Sequence, residues 1–294
     1  MENGQYYLGR VVKLGQLNQE KLLDAIIKCR PLMIGKFSWA ITDVHDARDK
    51  QIPFVFGRLS KYSAEGSVTL VDTDTKHQIP AVAKNLLVAS SPFVYLPNYS
   101  GIAYLHVWNE IQEDVFPRRF KALIEAAFEG FFVECSIEPV ADYRAFISKI
   151  KEIDRITQIS AKVNPPNPSF GRIWKKLNEY IKERNASEVF IQEQNKGGGT
   201  LNSQIVQLVT EVLEEKEVSG DSSPAITDAA LLMAADGYGH GKIVGKKGNE
   251  IIIVRTSDSK KSFFFPKEPD QFEIAKEADS HFEKISHERK MEHP

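Results

Sequence analysis

The sequence predicts an α+β protein, with a β-rich antiparallel N-terminal half followed by a mixed α/β C-terminal half that ends in an amphipathic helix. Two patterns support this fold class. In the first hundred or so residues, runs rich in Val, Ile, Phe and Tyr are separated by turns too short for crossover helices, which favours antiparallel pairing. From Phe116 onward, apolar residues recur at helical spacing between short strand-like runs.

The N-terminal half opens with a predicted strand around residues 6–12 and one helix. Asn18 is a suitable N-cap for that helix, Leu22 and Ile26 lie on its apolar side, and Pro31 ends it. The predicted strands that follow are rich in β-branched and aromatic residues: Phe37 to Ile41, "PFVFGRL" from Pro53, "SVTLV" from Ser67, "NLLVA" from Asn85, "SPFVYL" from Ser91 and "GIAYLHVW" from Gly101.

Helices and strands alternate in the rest of the chain. Apolar stripes at helical spacing predict helices around Phe120, Phe146, Ile173 to Ile181, Val209 and Leu231. Between them lie the predicted strands "FFVECSI", "ITQISAKV" and "EVFIQ". The proline-rich "NPPNP" continues neither a ladder nor a helix, so we place a domain boundary beside it and divide the chain into residues 1–155 and 156–294.

The last segment is predicted to be a helix with one apolar stripe amid alternating charge. The stripe contains Phe272, Ala275, Phe282 and Ile285. An apolar face of this kind must dock either on this chain or on a second copy.

Composition limits the functional classes. The chain has 38 Lys and Arg against 40 Asp and Glu, so nucleic-acid binding would have to depend on local basic patches. The N-terminus has no apolar leader and no window resembles a membrane span, so we expect a cytoplasmic protein without membrane insertion. Cys29 and Cys135 lack metal-type spacing and are expected to be reduced thiols, and no cofactor is expected.

The stretch "GYGHGKIVGKKG", residues 237–248, combines glycines with lysines and is predicted to form a hairpin with "NEIIIVRTS". Its cations and those just after it could contact a phosphate backbone: Lys242, Lys246, Lys247, Arg255, Lys260 and Lys261. The alternative is a solvated hairpin whose lysines protect an edge strand from pairing with other chains.

A second row of cations could extend this interface. Lys196 precedes three glycines between a predicted strand and a helix, where backbone amides can face an anion. Arg172, Lys175 and Lys176 lie on the polar side of the preceding helix. The Walker pattern is not matched, since the lysine comes before the glycines, and a flexible surface loop is the alternative.

An acidic set offers a different chemistry. Asp43, Asp72, Asp74 and Lys76 follow strand-like runs, and Asp74-Thr-Lys76 has the acid-x-lysine spacing of metal-dependent nucleases. In such enzymes the carboxylates share a cation and the lysine steadies the attacking water. Aspartate and threonine are also common turn formers, which is the alternative explanation.

Several blocks in order resemble a family of uncharacterised bacterial proteins: "FGRLSKY", "SPFVYLPNYSGIAYLH", "FFVECSIEP", "NPPNP" and "DGYGHGKIVGKKG". In broad block order the chain is also similar to the phage exclusion protein RexA and to KwaB of the Kiwa anti-phage system. The resemblance implies a DNA-associated phage-defence protein that acts as a homodimer with a partner protein. It supplies no catalytic residues.

The leading hypothesis is therefore a non-enzymatic, homodimeric defence protein that binds nucleic acid, with duplex DNA favoured, through backbone charge and not through base readout. Two alternatives remain open. One is a metal-dependent nuclease that uses the acidic set. The other is a defence-complex scaffold assembled through the terminal helix.

Overall fold

A computed structural model describes residues 2–129, 131–165, 170–214 and 224–292. The elements of the first half are β1 (Asn3–Gly15), α1 (Gln19–Lys28), β2 (Leu32–Ile34), β3 (Phe37–Ala47), β4 (Phe54–Val71), β5 (Gln78–Leu96), β6 (Gly101–Leu105), α2 (Val115–Ala126), β7 (Val133–Pro139) and α3 (Tyr143–Ile150).

The elements of the second half are β8 (Arg155–Val163), β9 (Phe170–Gly171), α4 (Lys175–Glu183), β10 (Val189–Gln194), α5 (Ile205–Leu213), α6 (Ile226–Met233), β11 (Gly239–Lys247), β12 (Glu250–Arg255), β13 (Ser262–Pro266), α7 (Gln271–Glu288) and β14 (Met291–Glu292). The predicted α+β fold class is confirmed.

The first sheet is antiparallel and has the strand order β13-β1-β6-β5-β4-β3-β2, with β7 also pairing with β1. Both of its faces are covered by helices. Phe93 and Tyr95 of β5 pack with α1 and α2, whereas Val94 and Leu96 pack with α7. Burial on both faces explains why "SPFVYL" reads as a nearly continuous apolar run.

The second sheet is antiparallel and has the strand order β10-β8-β11-β12. Its inner positions, such as Ile159, Ile243 and Val254, share a core with α3, α4, α5 and α6. Among the described residues, these four helices pack on one side of the sheet only, and the other side carries exposed residues such as Phe190, Lys242 and Lys246. We call that side the open face.

The chain returns to the first sheet after the second sheet is complete. Residues 262–266 pair with β1. Of the predicted stripe of α7, Ala275, Phe282 and Ile285 are buried, whereas Phe272 is 45% exposed. The apolar side of α7 therefore docks on its own chain, near Tyr6 and Phe54. The division near residue 155 stays a prediction, and residues 262–288 pack with the earlier part of the chain.

The strands β4 and β5 correct one prediction. The sequence predicted four separate strands from Pro53 to Leu96, and the structure has two long ones that form a ribbon around a turn at residues 72–77. The two strands continue through the polar positions where the sequence suggested turns. A register shift beside Tyr62 and a left-handed backbone conformation at Asn85 accommodate these positions within the ribbon.

Two further expectations concern the thiols and the membrane. Cys29 and Cys135 are both free cysteines, as expected. Within the described residues, no helix is both long and apolar enough to cross a membrane.

Candidate nucleic-acid interface

Strand alternation builds the open face of the second sheet. On β11, Gly241, Ile243 and Gly245 are buried against the helical side, so the residues between them point to solvent. Lys242 lies directly opposite Arg255 on β12, and directly opposite residues of an antiparallel pair share a face. Both side chains are exposed.

A second pair of cations lies farther along the same face. Alternation along β11 places Lys246 on the open side as well, and an extra residue in β8 at Thr157 brings Arg155 directly opposite Lys246. Both are exposed, and the Arg155 guanidinium also donates to the Gly198 carbonyl at 3.1 Å. Two pairs of facing cations therefore lie on the open face. The net charge of the whole chain, −2, gives no sign of this local basic surface.

The opposite end of this face carries two rings around a lysine. Lys162 on β8 lies opposite Phe190 on one side and opposite His240 on the other. Phe190 is 64% exposed and His240 is also exposed. The carboxylate of Glu188, just before β10, forms an ion pair with the Lys162 ammonium group at 2.5 Å.

The described strand residues on the open face include no carboxylate. The remaining positions are polar or apolar: Gln158, Ser160, Gln192, Gln194, Val244, Ile251 and Ile253. Within the described part of the chain, no ion pair joins an acidic side chain to Lys242, Lys246 or Arg255, and the nearby Asp258 carboxylate accepts a hydrogen bond from the Arg255 backbone amide at 2.8 Å. The face is therefore basic as well as open.

The two glycine-containing loops meet at one end of the second sheet. The Asp154 carboxylate accepts a hydrogen bond from the Gly248 amide at 2.9 Å, and the Ile156 amide donates to the Thr200 hydroxyl at 3.1 Å. The exposed Lys196 begins the second of these loops, so it lies near the Lys246 end of the sheet. Because the Gly248 amide already donates to Asp154, the hairpin turn does not offer this amide to a phosphate.

The glycines of residues 237–248 are explained by packing. Gly248 has the left-handed conformation that the hairpin turn requires, at the position the sequence predicted. At Gly239 a Cβ atom would lie 2.0 Å from the Lys162 carbonyl oxygen, so only glycine lets β11 approach β8 there. The glycines therefore bring two strands together and are not a phosphate-binding loop.

Three predicted cations lie off the open face. Lys247 alternates to the other side of β11 and approaches Glu152 at 3.9 Å. Lys260 lies 3.9 Å from Glu113, beside the first sheet. Lys261 lies 3.7 Å from Glu288, and burial lowers its pKa.

The predicted second row is divided between two places. Lys175 and Lys176 are exposed on α4, which packs on α6 in the helical layer behind the sheet. Arg172 lies in the short turn before α4, and its side chain is outside the described residues. Lys196 alone lies near the open face.

The structure does not bring the acidic set together. Asp43 lies 3.5 Å from Arg58 at the base of the ribbon, whereas Asp72, Asp74 and Lys76 lie at its tip. About 40 Å of strand separates them, at roughly 3.3 Å per residue. Asp72 accepts hydrogen bonds from the Thr75 and Asp74 amides, which lower its pKa.

These carboxylates cannot share one cation at such a separation. Among the described residues, no group of three or more His, Cys, Asp or Glu side chains could hold a metal ion. The turn-forming interpretation of Asp72 therefore accounts for its contacts.

A cleft of about 710 Å³ lies over the first sheet, where Asp43, Arg58 and Cys29 are among the lining residues. Its charges are already paired, since Arg58 also donates to Glu268 at 2.6 Å. Burial raises the pKa of Cys29, so its thiol is protonated at neutral pH and is a poor nucleophile. This cleft therefore offers no activated catalytic group.

Sequence reasoning missed three residues of the open face: Arg155, Lys162 and Phe190. Lys162 and Phe190 lie within strands that the sequence predicted, and Arg155 directly precedes one of them. The side of the sheet to which each points depends on strand partners and on where the helices pack. Strand alternation alone could have grouped Phe190 with Gln192 and Gln194, away from Val189 and Ile191.

Residues 32–220 match the family described as "Domain of unknown function (DUF4747)", and the chain belongs to that family. The match includes β8 and β10 and ends before β11 and β12. A search of curated proteins finds no match to this chain. The match confirms the expectation that the chain belongs to an uncharacterised family.

Proposed function

We propose that this protein binds nucleic acid through the open face, with Lys242, Lys246, Arg155 and Arg255 contacting phosphates. The observation that carries the proposal is the pairing of Lys242 with Arg255 and of Lys246 with Arg155 on one exposed face. Four cations that form no ion pair within the described residues attract a polyanion when they are grouped in this way, because each phosphate contact releases condensed counterions.

The expected strength of this attraction sets a measurable salt dependence. For duplex DNA, the logarithm of the affinity falls against the logarithm of salt concentration by about 0.9 for each neutralised phosphate. Four contacts therefore predict a slope of about −3 to −4. Backbone contacts of this type give little sequence preference.

The experiment is a fluorescence-anisotropy titration with labelled single-stranded and duplex oligonucleotides, over about 50 to 200 mM salt. The variant Lys242→Glu/Lys246→Glu is compared with Lys175→Glu/Lys176→Glu, which makes the same change in charge on α4. We expect the first variant to lose binding and the second to bind like wild type. Equal loss in both variants, or no binding by wild type at low salt, would contradict the proposal.

Homodimer formation is part of the proposal, and the ribbon of β4 and β5 supports it. Leu70 lies opposite Ile79 and Val68 lies opposite Ala81, so one face of the ribbon is apolar, and Leu70 and Ile79 are exposed. A two-stranded ribbon is marginally stable alone, and a second copy would present the same face to it.

Light scattering tests this part. We expect twice the mass of one chain for wild type and for Val82→Ser, which changes the opposite face of the ribbon. Leu70→Ser/Ile79→Ser should give the mass of a single chain. A monomeric wild type would overturn the dimer and leave the nucleic-acid interface untouched.

We place this binding in bacterial phage defence, in the cytoplasm and together with a second protein. The support is the order of the sequence blocks that resemble RexA and KwaB. In the native host, deleting the gene should raise the efficiency of phage plating, and Lys242→Glu/Lys246→Glu should behave like the deletion. Unchanged plating over a broad phage panel would remove this assignment.

The scaffold alternative has less support than the open face. It relied on Phe272, Phe282 and Ile285 of the terminal helix, and of these Phe282 and Ile285 are fully buried in their own chain, whereas Phe272 is 45% exposed. The separation of Asp43 from Asp72 likewise leaves the nuclease alternative without a shared metal site.

A further inference from the structure

We propose that the open face binds single-stranded nucleic acid in preference to duplex, with Phe190 as a stacking platform for an unpaired base. This inference rests on the proposed function and names the form of nucleic acid that the same face takes. The sequence favoured duplex DNA on charge alone. The structure adds the aromatic side chains of Phe190 and His240 beside the cations of the open face.

The position of Phe190 is the first argument. Its neighbours Val189 and Ile191 contact the core, so alternation holds the ring on the open side of β10, where it is 64% exposed. It lies opposite Lys162, and His240 lies opposite Lys162 on the next strand. Two rings therefore flank Lys162, whose ammonium group also pairs with Glu188, across about 10 Å of sheet, at about 4.8 Å between strands.

This arrangement suits a splayed single strand. Unpaired bases stack on Phe and His side chains, while Lys and Arg hold the backbone between them. The bases of a duplex are stacked inside the helix and cannot lie flat on a ring in a sheet. A duplex would use the cations alone and leave Phe190 without a contact.

The dimensions of the face also fit a short segment. From His240 to Lys246, β11 advances by six residues, or about 20 Å. The rings lie at one end of this length and the Lys246–Arg155 pair lies at the other. A segment of a few nucleotides can thus stack at one end while its phosphates continue along the cations.

The test compares Phe190→Ala, Phe190→Trp and a matched control, Phe264→Ala. Phe264 is 71% exposed on β13 of the first sheet, so the control removes an equally accessible ring elsewhere. The probes are oligothymidylate, oligouridylate and a DNA duplex of the same length, titrated at fixed salt. Thermal melting checks that each variant is folded.

We expect wild type to bind a single strand at least tenfold more tightly than duplex. Phe190→Ala should lose about tenfold on single strands and nothing on duplex, while Phe264→Ala binds like wild type. Phe190→Trp should retain affinity, and the added indole fluorescence should be quenched by the bound strand. The two single-stranded probes show whether DNA or RNA is the tighter ligand.

The two levels of the proposal fail separately. If duplex and single strands bind equally and Phe190→Ala changes neither, stacking is overturned while the backbone interface stands. If no probe binds at low salt, the proposed function itself falls. Tight single-strand binding that is unaffected by Phe190→Ala would also overturn the role of this ring.

Discussion

The Asp236 carboxylate accepts a hydrogen bond from the Arg289 guanidinium at 2.7 Å, and both side chains are almost completely buried. Asp236 lies just before β11 and Arg289 directly follows α7. The Tyr143 hydroxyl donates to the same carboxylate at 2.7 Å. This pair therefore ties the helix that packs on the first sheet to the strand that carries the basic open face.

Replacing Asp236 with Asn should destabilise the protein strongly. The amide removes the charge that compensates Arg289, and breaking a buried pair in this way costs about 3–5 kcal/mol. Urea unfolding measures the effect. Asp24→Asn is the control, because its exposed pair with Lys28 at 3.5 Å should contribute less than about 1 kcal/mol. Similar losses in the two variants would show that Asp236 is not part of a buried junction.

Gly239→Ala tests whether the glycines are structural. The new methyl group would meet the Lys162 carbonyl, and φ is 153° there, so we expect loss of several kcal/mol or no folded protein. Gly35→Ala is the matched control, since Gly35 also has a positive φ but nothing lies within 4 Å of its Cβ position. It should lose about 1 kcal/mol in chemical unfolding. Equal stability of both variants would refute the close approach of β11 and β8.

The burial of Lys13 predicts that the free energy of unfolding rises with pH. Burial lowers the pKa of its ammonium group from 10.5 to about 8, opposed by Cys135 and assisted by Arg10. Between these two values the unfolded chain holds a proton that the folded chain has released. The free energy of unfolding therefore increases with pH in this window.

Comparison with Lys13→Met isolates this residue from the tyrosines. From about pH 7.5 to about pH 10, the unfolding free energy of wild type minus that of the variant should rise by about 2 kcal/mol. Urea unfolding across the pH range supplies the values. A difference that stays constant or falls would show that the ammonium is solvated.

Lys246 and Lys247 are neighbours in sequence but lie on opposite sides of β11. Lys246→Ala should reduce the magnitude of the salt slope by about 1, because one phosphate contact is lost. Lys247→Ala should leave it unchanged, since that side chain lies near Glu152. Anisotropy titrations at several salt concentrations separate the two. An equal effect of both substitutions would indicate that the hairpin contributes only its total charge, and that the side of β11 on which each lysine lies does not matter.

Local signals predicted much of the fold. Asn18 caps α1 by accepting from the Lys21 amide at 2.9 Å, and Gly248 turns the hairpin where the sequence placed it. Three of the four predicted stripe residues of α7 are buried, and Phe272 is the exception. Caps, turns and helical periodicity depend on a few neighbouring residues, which is why one sequence suffices to find them.

Long-range pairing escaped prediction. No pattern in "KKSFFFP" shows that β13 pairs with β1, more than 250 residues earlier, as the Gln5–Ser262 side-chain hydrogen bond at 2.9 Å records. The open face is a second case, because the importance of Phe190 follows only when the helices are known to pack on the other side. Composition identified the basic hairpin, and topology decided which of its cations share a surface.

Photo-crosslinking locates the bound strand on the protein surface. A short single strand that carries a photoreactive pyrimidine is irradiated with the purified protein, and the attached peptides are identified by mass spectrometry. We predict that crosslinks concentrate in β10 around Phe190 and in β11 between His240 and Lys246, and that Lys242→Glu/Lys246→Glu removes them. Crosslinks confined to α4 around Lys175, or to the ribbon of β4 and β5, would contradict the assignment of the open face as the nucleic-acid interface.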